Sequence, residues 1–297
     1  MGSSSDRWVA SFILPWWYSS VVTGEPGRLR SSSCPCVPAL AGMRFAVYNP
    51  LSLCAQGRFL DVSRELRQVD LICLPGTKLR RTANSQGPYS AFRTLHHTAI
   101  NWGYGRGKHT NRAAGCTILV GKRLQRAQLH ITSPPGPIQG RGGAVQVKIG
   151  ATAIKAVVAY VPPRPRVQQH VHTWRSTVQQ VLSWVQSEVQ DCPVRVTPLI
   201  GMDLNDGAVC EDFAAECMGE CGTSALGPAS HMLHQLLVEE GMSVIGSYWP
   251  AGDTYFGAMG HSSAIDHLVA PQSLTMQVLG CCVWKRAGKK TSAHSGQ

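Results

Sequence analysis

The chain changes its hydrophobic period at Val167, and that change restricts what it can fold into. Before it, Gly115 to Val120, Ala127 to Thr132, Gly143 to Ile149 and Ala153 to Tyr160 are partly alternating runs with many β-branched residues, split by Gly and Pro turns. They predict adjacent strands of a mostly antiparallel sheet. After it, Val167, Val171, Trp174, Val178, Val181, Leu182, Val185 and Val189 step by three or four, the spacing of one apolar helix face, and Pro193 closes the helix. An apolar strand then runs from Val196 and stops on Asp203, Asn205 and Asp206. The first part of the chain shows the same mixture. Arg44 to Asn49 reads as a strand, Phe59 to Val69 as a helix and Asp70 to Leu74 as a second strand, a βαβ-sized unit. Tyr89 to Thr94 and His97 to Tyr104 predict further strands. Late in the chain, a helix is expected around Ser230 to Glu240, and strands near Ser243 to Ile245, Thr254 to Phe256, Ala264 to Val269 and Leu274 to Leu279. Strand runs with a few helices, repeated in two halves and without an internal repeat, fit an α/β (α+β) core of packed sheets with helices outside.

Composition narrows the partners. At 297 residues and 43% hydrophobic content the chain can bury a large core and is not a disordered protein. Its 28 basic and 17 acidic residues leave a net charge of +11, which favours an anionic partner such as nucleic acid, a phosphorylated substrate or an acidic membrane. Eleven cysteines, an odd number without regular spacing, argue against a secreted disulfide framework and for reduced thiols inside a cell, nuclear or cytoplasmic. Residues 1–42 are rich in Ser, Pro and Gly and read as a disordered leader, with folding expected from Met43 to the end of the chain. The apolar patch from Trp8 to Tyr18 is interrupted by Pro15 and is shorter than the roughly 20 residues that span a bilayer. The absence of acidic residues between Arg7 and Ser20 leaves a targeting segment open.

Polar residues collect at the ends of the predicted strands: Asn49, Tyr160, Asp203, Asn205, Ser263 and Asp266, with His294 near the end of the chain. Asp203 and Asn205, one residue apart, point to the same side of an extended chain and can converge on one ligand. Without further context they are also what a strand followed by an Asn-Asp turn looks like. The order and neighbours of these residues resemble the endonuclease/exonuclease/phosphatase superfamily. These metal-dependent phosphoesterases include apurinic-site endonucleases, DNase I, sphingomyelinases and the endonuclease domains of non-LTR retrotransposons. The matching stretches are Tyr48-Asn49-Pro50-Leu51-Ser52, Tyr160-Val161-Pro162, Gly201-Met202-Asp203-Leu204-Asn205 with one residue inserted after the glycine, Thr254, and Ser263-Ala264-Ile265-Asp266-His267.

The resemblance implies a DNase I-like, four-layered sandwich of two packed mixed β-sheets flanked by helices. It implies a Mg²⁺ (or Mn²⁺) ion that stabilises charge on a phosphate, with Asn49 and Asp203 as the metal-side residues. It further implies that Asp203 positions or deprotonates the attacking water, that Asn205 and Asn49 hold phosphate or metal-bound water, and that Tyr160, Ser263 and Thr254 serve the phosphate side. His294, oriented by Asp266, would donate to a phosphate oxygen. Two positions depart from the pattern. The family's second strand usually ends Leu-Gln-Glu-Thr-Lys, and its glutamate is the main metal ligand; here the stretch is Leu74-Pro75-Gly76-Thr77-Lys78. The terminal Ser-Asp-His reads Ser292-Ala293-His294. With two anionic groups gone, metal binding should weaken, and Asp206, Asp203 or a water would have to compensate.

Other clusters lead elsewhere. Cys210, Cys217, Cys221, His231 and His234 lack the paired spacing of structural zinc sites. Trp174, Trp184 and Cys281-Cys282 fit core packing, the Lys285 to Lys290 run a solvated segment, and the basic loop at residues 105–112 a solvated loop or a phosphate contact. His96 and His97 have no evident partner. The functional expectation is a metal-dependent phosphodiester hydrolase, a retroelement-type or repair-type nuclease acting on DNA. The alternative is a catalytically inactive homologue that binds nucleic acid or a protein partner.

Overall fold

The computed structural model of the chain describes residues 9–14, 42–80, 87–104, 114–149, 152–206, 217–219, 221, 227–250, 253–256 and 262–284. The first half contains β1 (Val9–Leu14), β2 (Met43–Val47), α1 (Arg58–Glu65), β3 (Leu71–Leu74), β4 (Ser90–Arg93), β5 (His97–Trp102) and β6 (Cys116–Gly121). Then come β7 (Gln128–Thr132), β8 (Gly142–Ile149), β9 (Thr152–Tyr160), α2 (Val171–Gln190) and β10 (Val196–Asp203). The last part holds α3 (Pro228–Glu239), β11 (Met242–Val244), β12 (Tyr255–Phe256), β13 (Ser262–Ser263), β14 (Asp266–Pro271), α4 (Gln272–Thr275) and β15 (Gly280–Trp284).

Two sheets form. One runs β15-β1-β2-β3-β6-β5-β4 and the other β11-β14-β10-β9-β8-β7, with β12 and β13 paired beside them. Both are mixed: β2 lies parallel to β3 and β9 parallel to β10, while β8 and β14 flank β9 and β10 antiparallel. Strand alternation sends side chains to two faces, and both faces here are apolar. Phe45 and Val47 of β2 enter the core between the sheets, whereas Ala46 and Tyr48 face Val62 and Leu66 on the α1 side. On the second sheet, Leu199 faces inward, and Ile200 and Met202 pack with Val178, Val181 and Val185 of α2 and Leu233 and Leu237 of α3. The result is four layers: α1, sheet, sheet, then α2 with α3. The sheets approach most tightly near Gly201, where a Cβ would stand 2.5 Å from the Cys73 Cβ and 3.3 Å from the Val47 Cβ. Only a residue without a side chain fits there, two positions before Asp203.

The βαβ unit, the long helix after Val167 and the four-layered sandwich follow the sequence-based expectation. Trp174 and Trp184 are buried, and Trp174 Nε1 donates to the Pro162 carbonyl at 2.8 Å. His97 is buried under α1 with Nδ1 2.8 Å from the Ser63 hydroxyl, so its role is packing. Three elements differ. Val9–Leu14, inside the stretch read as a disordered leader, forms a strand paired with β2 on one side and β15 on the other. The first sheet therefore draws on residues before Met43. No strand runs from Leu274 to Leu279. Pro271 cannot extend the ladder, and the Thr275 hydroxyl donates to the Gln272 carbonyl at 2.7 Å, closing a helical turn before β15 begins at Gly280. Of the Cys281-Cys282 pair, Cys281 is buried and Cys282 exposed, so only the first is core. Among the described residues, Cys54, Cys73, Cys116, Cys192, Cys221 and Cys281 are free thiols.

Candidate active site

The site forms where parallel strands end together. β9 and β10 run side by side in register, so Tyr160 stands opposite Asp203. β14 starts antiparallel to β10, which sets Asp266 opposite Asp203 on the other side. From the facing sheet, the chain leaving β2 supplies Asn49 and the chain leaving β3 supplies Gly76; a Cβ on Gly76 would lie 2.8 Å from Asn49 Oδ1. Sequence-distant strand ends thus meet at one rim, where β-sheet enzymes place ligands.

Asp203 is fully buried. Its Oδ2 accepts a hydrogen bond from Asn49 Nδ2, and its Oδ1 accepts the Asn205 backbone N–H at 2.8 Å. Asn205 holds a left-handed backbone, φ 51°, a conformation that asparagine tolerates better than most residues, and its Nδ2 donates to the Val161 carbonyl at 2.7 Å. Burial pushes the Asp203 carboxyl up to about 7, although the Asn205 and Asn49 hydrogen bonds pull it down. Asp266 is raised well above the usual carboxylate range, first by burial and then by the Asp203 charge, while the Thr254 hydroxyl opposes the shift. Thr254 Oγ1 accepts the N–H groups of Ile265 at 3.0 Å and Asp266 at 3.1 Å, fixing the start of β14. Asp266 Oδ1 is buried without a hydrogen-bond partner among the described residues. Burial, reinforced by the Asp203 charge, holds the Tyr160 phenol up at about 12, so it stays a neutral donor.

Asn49, Tyr160, Asp203, Asn205, Thr254 and Asp266 are therefore brought together. Ser263 takes part through its backbone: its carbonyl accepts the Thr254 N–H at 3.1 Å. His294, Ala293, Cys210, the basic loop at 105–112 and the Lys285 to Lys290 run lie outside the described residues. One residue escaped the sequence reading. Arg141 precedes β8, is only 7% exposed, and sets its guanidinium carbon 5.8 Å from the centre of the Tyr160 ring. The available signal was an arginine enclosed by Gly140, Gly142 and Gly143 at the mouth of an apolar strand.

No protein-family model and no curated protein matches the chain. Solved structures do. The AP endonuclease LMAP from Leishmania major superposes with a TM-score of 0.55 at 13% identity, over 82% of this chain and 83% of that one. The catalytic domain of Xenopus laevis APE2 does so with a TM-score of 0.55 at 11% identity, over 78% of this chain and 83% of that one. The chain has the DNase I-like fold.

Within this DNase I-like frame the residues expected to hold a divalent ion do not form a carboxylate cradle. Asn49 commits its Nδ2 to Asp203 and its Oδ1 to the Leu51 N–H, 2.8 Å away. Position 76 has no side chain, and its φ of 68° is a left-handed conformation, so the turn offers neither a ligand nor the backbone shape that would present one. Asp206 does not compensate. Its Oδ2 accepts the N–H groups of Ala229 at 3.1 Å and Ser230 at 3.4 Å, capping the positive end of α3. Its carbonyl lies 3.2 Å from His267 Nε2, whose ring burial holds at about 4 and therefore neutral. Among the described residues no group of three or more His, Cys, Asp or Glu side chains is placed to hold a metal ion. None of the described helices is long and apolar enough to cross a membrane.

Proposed function

We propose that the chain is a phosphodiester hydrolase of nuclease type acting on DNA, with Asp203 as the group that orients and deprotonates the attacking water. The observation that carries this is the state of Asp203. It is a buried carboxylate at the sheet rim, fixed by one side-chain and one backbone hydrogen bond, with its proton affinity lifted to about 7. A base is most effective when its pKa lies near the working pH. Tyr160, kept neutral by burial, can donate to a phosphate oxygen, and Asn49 and Asn205 bracket the carboxylate. In this reading Asp266 would orient the donor that the resemblance assigns to His294. The net charge of +11 favours a polyanionic substrate. A bound Mg²⁺ or Mn²⁺ would supply charge stabilisation at the phosphate, and with Gly76 in the usual glutamate position such an ion is held weakly.

The test is incubation of the purified chain with a supercoiled plasmid and an abasic-site duplex in Mg²⁺, Mn²⁺ or EDTA. Metal-dependent cleavage that disappears in Asp203→Ala supports the hydrolase. A second function, an inactive homologue that binds nucleic acid or protein through the same cleft, is favoured by one observation: the space a side chain at position 76 would need is filled by Asn49. Salt-sensitive binding with no cleavage under any metal condition selects that alternative.

A further inference from the structure

The register of the second sheet builds a row of charge. Gly142 pairs with Ala159, so Arg141 stands opposite Tyr160, and the Tyr160 N–H donates to the Arg141 carbonyl at 2.8 Å. Tyr160 pairs with Asp203, and Asp203 with Asp266. Residues directly opposite on neighbouring strands face the same side, so Arg141, Tyr160, Asp203 and Asp266 line one edge of the sheet, with the cation at one end and the carboxylates at the other. The Cys116 thiol, on the facing sheet, lies close enough to this row to feel both the Arg141 and the Asp203 charges.

Arg141 has no carboxylate partner among the described residues, and its Nη1 is buried without any hydrogen bond there. A buried, unpaired guanidinium loses more by desolvation than its contact with the Tyr160 ring returns. An arrangement of this kind is stabilised when an anion arrives. Guanidinium is the side chain best matched to a phosphate, through parallel N–H donors and a charge that does not titrate away. Meanwhile the groups that would bring a divalent cation to the cleft are missing or engaged elsewhere, as Gly76, Asn49 and Asp206 illustrate. We propose that Arg141 is the fixed cation of the phosphate subsite, so that the cleft receives a nucleic-acid phosphodiester directly, without a divalent ion. Arg141 takes this role only in a cleft that handles nucleic acid, as proposed above.

Fluorescence anisotropy of a labelled duplex oligodeoxynucleotide with the full chain tests this, in EDTA and in Mg²⁺ across a salt series. In EDTA the wild type binds, and Arg141→Gln binds about tenfold or more weakly, with the salt slope reduced by about 1. Arg141→Lys keeps the wild-type salt slope. Equal binding of wild type and Arg141→Gln in EDTA overturns the role of Arg141. Binding that requires Mg²⁺ overturns the metal-free subsite and leaves the nuclease assignment standing. Absence of binding in both conditions overturns both. Should Arg141→Gln not fold, inorganic phosphate in EDTA at matched ionic strength decides. A rise in the wild-type melting temperature that is smaller in Arg141→Lys supports the subsite, and an equal or absent rise overturns it.

Discussion

Replacing Gly76 is the most informative perturbation of this cleft, because two costs and one gain can be separated. The residue sits at φ 68°, and a Cβ there would stand 2.8 Å from Asn49 Oδ1. An L-residue in the left-handed region costs about 1–2 kcal/mol. The Cβ also pushes on an amide that holds both Asp203 and the Leu51 N–H, and a hydrogen bond to a charged group is worth about 1.5–3 kcal/mol. Because both ends of the Asn49 amide are hydrogen-bonded, it can give way only by loosening those bonds, so Gly76→Ala should lower the unfolding free energy by about 2–4 kcal/mol. Gly76→Glu carries the same backbone cost but adds a carboxylate at the position where the resembled superfamily carries its glutamate. Urea denaturation of wild type, Gly76→Ala and Gly76→Glu in EDTA gives the cost, and the rise in melting temperature on adding Mg²⁺ gives the gain. The glutamate form should be stabilised by Mg²⁺ more than the alanine form. An alanine form within about 0.5 kcal/mol of wild type, the range of an ordinary surface change, would refute the geometry at Gly76. A glutamate form that responds to Mg²⁺ no more than alanine would refute the placement of a metal position beside Asn49.

Two further outcomes follow from the charges around Asp203. Asp266 is raised in the folded state, so the fold favours its protonated form; the stability this contributes is present at acid pH and is lost as pH rises from about 4 upward. The neutral His267, lowered to about 4, works in the opposite sense as pH rises toward 6.5, so Asp266→Asn is compared with wild type: the variant should gain relative stability between acid and mildly alkaline pH, and a pH-independent difference in urea midpoint sinks the argument. Asp206→Ala should cost about 1 kcal/mol of stability through the loss of the α3 cap, while Asp206→Asn, another good cap, costs little; a large loss of metal-dependent cleavage in Asp206→Asn at unchanged stability would show that the carboxylate serves the reaction after all.

Much of this arrangement was legible because strand register is a local property with a distant consequence. Asp203 ends an apolar run, Tyr160 ends another and Asp266 begins a third, and in-register ladders bring such ends side by side. What the sequence could not reveal was how shared groups are spent. Asp206 looks like a spare ligand until the first turn of α3 is seen to need an acceptor, some twenty residues downstream. Arg141 looks like a turn residue until the ladder sets it opposite Tyr160. Val9–Leu14 gave little signal among flanking prolines and serines, because a strand between two others is defined by its partners as much as by its own pattern. The Leu274 to Leu279 run alternates well enough for a strand, yet local side-chain hydrogen bonding takes that backbone first.

The place of β1 bears on how the protein must be handled. β15 has its ladder on β1, and β1 has its other ladder on β2. Excising the first fourteen residues would unzip one side of the sheet, leaving β15 without a neighbour and baring the hydrogen-bonding edge of β2, whose side chains from Phe45 to Val47 are wholly buried. A bare, flat, apolar strand edge is a template for another chain. Trimming the chain to Met43 would therefore trade a covered sheet edge for a nucleus of self-association, and solubility on expression would report that loss before any assay of the cleft could.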